Sequence, residues 1–132
     1  MWNESKSEVV RIEEVLLHNG TAGEALYQKF RSARREDVRL AAALRGYFHE
    51  GEEHREEYFA YLSRRLRPAA EALIETNRVG ELAQLEEKGL FTPELTDDFL
   101  RTAITLGRPE LIVWLLRQKE TRFGFRDRDF RL

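Results

Sequence analysis

Apolar residues recur along this chain at every third or fourth position and almost never at every second, which is the period of helices. Val9, Ile12 and Leu16 share one helical face. Ser5 and Glu8 ahead of them have the spacing of a capping box, so a first helix is expected to begin at Ser5. It ends at His18-Asn19-Gly20, where glycine can take a left-handed cap. Thr21 and Glu24 repeat the box, and Leu26, Phe30 and Ala33 follow on one face of a second helix. Glu36 and Asp37 open a third, whose apolar side is Leu40, Ala43, Leu44 and Tyr47. The alanines at 41–43 leave room for another helix to approach closely. Gly51 then interrupts the pattern. The stretch EEHREEYFAYLSRRLR (52–67) is acidic in front and basic behind, as the helix dipole favours. Pro68 suits the first position of a fifth helix, which runs to about Thr76.

Residues 68–89 and 98–119 resemble each other at a shift of 30 positions. Ala70 lies over Leu100, Leu73 over Ala103, and Ile74 over Ile104. Asn77 falls on Gly107, Arg78 on Arg108, Leu82 on Ile112, and Leu85 on Leu115. Each unit reads as a short helix, a tight turn at Asn or Gly, and a second short helix. GLFTPELT (89–96) reads as a loop between them, and Asp97-Asp98 as the start of the next helix. A period of this length marks stacked helical arrays, in which no unit buries its apolar face alone. In the second unit Gly107 reverses the chain, and Pro109 stands where the first amides of a helix are unpaired. The run LIVWLL is expected to be packed from several sides, with Trp114 worth about 3–5 kcal/mol on truncation.

This second unit resembles an ankyrin repeat at Leu100, Ala103, Gly107, Glu110, Leu111, Ile112, Leu115 and Leu116. The first is similar at Asn77, Val79, Leu82, Leu85 and Gly89, with Glu86 where that family prefers an aliphatic residue. The resemblance covers residues 68–119, and a generic helix-hairpin repeat fits the same residues. It implies an all-α fold of stacked antiparallel helical hairpins, ankyrin-like or α-solenoid-like, with about eight short helices. The expected organisation is a single helical domain over 1–132. Within it, residues 1–67 cap the array, 68–119 supply two helix pairs, and 120–132 form an aromatic and arginine-rich tail.

Composition narrows the chemistry. The chain is 42% hydrophobic and 35% charged, enough apolar surface for a core and a mixed charge that suits exposed helix faces. A net charge of -2 gives no global field toward nucleic acid or anionic membranes. The absence of cysteine excludes disulfides, thiolate metal sites and a cysteine nucleophile. The charged N-terminus lacks the apolar stretch of a secretory signal, and LIVWLL is far too short to cross a membrane. The expected location is cytoplasmic.

No spacing of reactive residues points to an enzyme. HEGEEH (49–54) places its histidines five apart across Gly51, whereas a zinc-protease helix needs them at i and i+4. It reads chiefly as a solvated helix junction, with no metal ligand assigned and no cofactor expected, a weak adventitious metal site being the minor alternative. His18 reads as a C-terminal helix cap, and no phosphate-loop motif is present. The basic clusters RSARRED and SRRLR adjoin acids and read as helix-end electrostatics.

The tail admits two main readings, with disorder or a strand that pairs with another chain as the remainder. Phe123, Phe125 and Phe130 alternate with arginines such as Arg122 and Arg126. They either fold back over the end of the array or act as aromatic anchors for a protein partner. The expected function is therefore a non-catalytic protein-interaction module. The alternative is a nucleic-acid-associated helical domain using Arg31, Arg34, Arg35, Arg64, Arg65 and Arg67.

Overall fold

A computed structural model describes residues 6–124. Those residues form eight α-helices and one π-helical turn, with no strand among them. The helices are α1 (Glu8–His18), α2 (Gly23–Ser32), α3 (Glu36–His49), α4 (Arg55–Arg64), α5 (Leu66–Glu75), α6 (Val79–Glu87), α7 (Pro93–Leu106) and α8 (Pro109–Gln118). The π-helical turn spans Lys119–Phe123. The all-α expectation and the number of helices hold. Two compact units emerge, Met1–Ala72 and Leu73–Leu132, with the division inside α5.

In the first unit α3 is central, and α1, α2 and α4 each pack against it. Its sequence allows this because its buried residues include Ala41, Ala42, Ala43 and Gly46 beside Leu40, Leu44 and Tyr47. Small side chains let neighbouring backbones and rings come close. Gly46 is the extreme case, since a Cβ added there would run into the ring of Tyr58 on α4. The rings of Tyr27, Phe30, Tyr58 and Tyr61 gather beside this contact, mostly edge to face, as aromatic quadrupoles prefer.

In the second unit α7 and α8 form a hairpin, the π-helical turn packs on both, and α6 meets α8. Leu82, Leu85, Leu111 and Leu115 are fully buried, and Phe91 packs edge-on against Phe99 and Trp114. The two turns matched in the sequence share one local geometry. Asn77 (φ 60) and Gly107 (φ 67) both take the left-handed conformation. Arg78 N–H then donates to Leu73 O, and Arg108 N–H to Ala103 O, each at 2.9 Å. Asparagine tolerates this region better than most residues, so the turn survives the change from glycine.

Five local expectations need correction. The first helix begins at Glu8 with Ser7 as its cap, whose side chain accepts from Val10 N–H; Ser5 lies outside the described residues. The Thr21–Glu24 box does not form, because Ala22 is the N-cap of α2 and makes no side-chain cap bond. Helix α5 starts at Leu66, which leaves Pro68 within its first turn, where its missing N–H costs nothing. Helix α7 starts at Pro93 rather than near Asp97, because Thr92 accepts from Leu95 N–H and proline follows at the first helical position. Finally, α8 is not packed all round. Val113 and Leu116 face water, and Trp114 and Ile112 are half-buried, so truncating Trp114 costs less than a full core aromatic.

Candidate functional site

Two surfaces follow from these helices. The first is on the α7–α8 hairpin. Both helices have strongly one-sided apolar patterns, and Phe99, Ala103, Leu111 and Leu115 occupy the inward positions. The sequence nevertheless supplies more aliphatic residues than the inward face can use. Ile104 (56% exposed), Leu106 (38%), Val113 (50%) and Leu116 (43%) are left outside. Single exposed aliphatics are ordinary, and this hairpin carries four of them. Exposed Glu110 and Arg117 lie on the same hairpin.

The tail begins beside it. Arg122 places its guanidinium on Glu86 of α6 in two parallel bonds, Nε to Oε2 at 2.6 Å and Nη2 to Oε1 at 3.0 Å. Glu86 is only 4% exposed, so the acid at the family's aliphatic position is buried and satisfied by this arginine. Phe123 is half-buried at the end of the π-helical turn. Phe125, Arg126 and Phe130 lie outside the described residues.

The second surface is a cleft of about 300 Å³ in the first unit, between Arg31, Arg39, Arg64, Glu57 and the rings of Phe30 and Tyr61. Much of its positive charge is already engaged. Arg39 donates to Phe30 O and Ala33 O, capping the end of α2. Arg31 donates to the Tyr27 hydroxyl at 2.8 Å and lies 3.8 Å from Glu57. Arg64 makes neither a hydrogen bond nor an ion pair among the described residues.

Beside the cleft, Arg65 donates to both oxygens of Glu36, and the Tyr61 hydroxyl donates to the same carboxylate. Those two donors, Arg65 first, hold the Glu36 carboxyl down at about 2. Burial pushes the Tyr61 hydroxyl up to about 12, reinforced by the anion it faces. Arg35 is tied in the same way to Asp37 and lies 3.8 Å from Glu8. Three of the six arginines considered for nucleic acid, Arg31, Arg35 and Arg65, therefore already face carboxylates.

The HEGEEH segment lies at the α3–α4 junction. His49 is not among the residues whose ligand atoms gather with those of His54. His54 instead meets Glu24, thirty residues earlier, with Nε2 to Oε1 at 3.4 Å. No local spacing signals that pairing. No helix among the described residues is long and apolar enough to cross a membrane.

No family model, curated protein or solved structure matches this chain.

Proposed function

We propose that this protein is a non-catalytic interaction module built from ankyrin-like helical hairpins, and that it binds a helical surface of a protein partner through α7–α8. The supporting observation is the exposed set Ile104, Leu106, Val113 and Leu116. In an array of hairpins, the outer face of one unit is covered by the helices of the next. An unpartnered apolar hairpin therefore fits another helical pair, with aliphatic ridges entering its grooves. Glu110 and Arg117 supply polar contacts of both signs that fix orientation. The shared turn geometry at Asn77 and Gly107 supports the hairpin repeat as its structural basis. The intended setting is the cytoplasm.

The test is the double substitution Val113→Asp with Leu116→Asp. Association with the partner, identified by crosslinking from position 113 in the native host, is expected to fall by more than tenfold. Stability is expected to stay within about 0.5 kcal/mol of the parent, as for surface sites. Unfolding of the variant would place these residues in a core and sink the proposal. So would undiminished association.

The nucleic-acid reading is weaker because half of its six arginines already face carboxylates. A shift assay with generic DNA and RNA at low salt decides it, since phosphate contacts weaken steeply as salt rises.

A further inference from the structure

The start of α2 meets the α3–α4 junction through two polar contacts. Gly23 N–H donates to Glu50 Oε1 at 3.1 Å, and Glu24 Oε1 lies 3.4 Å from His54 Nε2. Glu53 Oε2 lies 3.9 Å from the same nitrogen. The three donor atoms of Glu24, Glu53 and His54 all fall within 4.8 Å of one another. A tetrahedral ion with bonds of about 2.0–2.1 Å sets its ligand atoms roughly 3.3 Å apart. The donors are thus close to the spacing of a coordination shell. The carboxylates are exposed enough to rotate the remaining distance, at 64% for Glu24 and 85% for Glu53.

A separate observation concerns the imidazole. His54 lies flat on Tyr27, with ring centroids 3.4 Å apart and planes 2° from parallel. Two neutral rings avoid a face-to-face sandwich because their negative faces repel. An imidazole carrying positive charge, from a proton or a bound metal ion, turns the same stack attractive. Tyr27 is itself held in place, donating to Glu57 at 2.6 Å and accepting from Arg31. The ring therefore stands on a fixed platform, with Nε2 toward two carboxylates.

We propose that Glu24, Glu53 and His54 bind a first-row divalent transition ion of the zinc class. An imidazole ligand selects that class over calcium and magnesium, which take oxygen shells. Three protein ligands leave coordination positions open, so the ion exchanges readily and can accept a water molecule or a partner's side chain. The site ties the first turn of α2 to the α3–α4 junction. It stands independently of the α7–α8 surface.

The experiment titrates the full chain with Zn²⁺ against a chromogenic chelator and follows its histidine rings by NMR. One ion per chain is expected, with the His54 signals moving and those of His18 and His49 staying in place. His54→Gly removes the ring and suits the left-handed backbone there (φ 64). Glu24→Gln keeps the shape and removes the charge. Each is expected to weaken zinc binding at least about tenfold with the helical circular dichroism unchanged. If His54→Gly lowers that signal, Glu24→Gln alone decides. Excess Ca²⁺ or Mg²⁺ is expected to leave zinc bound. The proposal is overturned if the wild-type chain takes up no zinc, or if uptake is undiminished in a folded variant. It is equally overturned if the His54 signals respond to pH but never to zinc, which assigns the ring's charge to a proton.

Discussion

The two units solve the same packing problem with different side chains. In the first, Tyr58 lies on Gly46 and three more rings gather beside it, with polar edges reaching outward: Tyr27 to Glu57, and Tyr61 to Glu36. In the second, leucines and Ala103 fill the hairpin together with Phe91 and Phe99, and four aliphatic side chains remain in water. A tyrosine can bury its ring and still satisfy its hydroxyl, so this cluster has a polar edge without losing core volume. Leucine and valine have no such edge. A surplus of them is either core or contact surface. Exposed aliphatics among the described residues thus sit on Val15 and Leu17 of α1 in the first unit and, in larger number, on the α7–α8 hairpin of the second.

Three effects sharpen this contrast. The largest effect is expected from Gly46→Ala. Its methyl group overlaps the Tyr58 ring, and that ring is itself held by Phe30 and Tyr27. Relief requires displacing the whole aromatic group, so urea denaturation is expected to show a loss of about 2–3 kcal/mol. Gly80 has open space at the same position, and Gly80→Ala on α6 serves as the control that removes a flexible residue without a clash.

The second effect concerns the polar exception in the aliphatic unit. Arg122→Ala leaves the Glu86 carboxylate buried without its bidentate partner and is expected to cost about 1–3 kcal/mol. Glu86→Leu should be nearly neutral by the same denaturation measurement. It removes the desolvated charge and leaves an arginine that is already 46% exposed. If both variants lose equal stability, the ion pair contributes more than the packing it replaces, and the contrast between the units weakens.

The smallest effect is acidic. The folded-state value of Glu36 is held at about 2 against an ordinary 4.5, chiefly by the hydrogen bonds from Arg65 and Tyr61. A depressed carboxyl stabilises the fold above its unfolded value, and that contribution fades as pH falls from about 4.5 toward 2. The difference in urea midpoint between the parent and Glu36→Gln should be present at neutral pH and shrink through that window. The group is exposed to solvent, so the difference is expected to be small and to narrow further in high salt.

Periodicity and punctuation made much of the helical fold readable. The ends at Gly20, Gly51 and Gly107, the acidic starts at Glu36 and Asp37, and the matched turns at Asn77 and Gly107 are local signals, and they appear in place. Where expectation and structure part, a residue distant in sequence intervenes. Thr21 yields its capping role while Gly23 N–H turns to Glu50. GLFTPELT was expected to be loop because its turn formers outweighed the Thr-Pro-Glu start within it. The apolar run in α8 reads as buried on every side because hydrophobicity records what a face could cover, not whether a neighbour is there to cover it. Of the residues that form the candidate sites, the aliphatic run was visible but its exposure was not. The approach of Glu24 to His54 and of Arg122 to Glu86 had no signal, since spans of 30 and 36 residues carry no periodicity. Gly46 looks like any helical glycine until Tyr58 is seen lying on it.

The starting ends of α2 and α7 also imply an order of events. Helix α7 holds its own beginning, Thr92 and Pro93, within the same few residues, so it can nucleate as soon as that stretch exists. Helix α2 lacks such a cap, and its first amide is met by an acid that follows all of α3. Its first turn closes locally, through Leu26 N–H to Ala22 O, while the acid that meets its first amide arrives only when α3 brings Glu50 back to it.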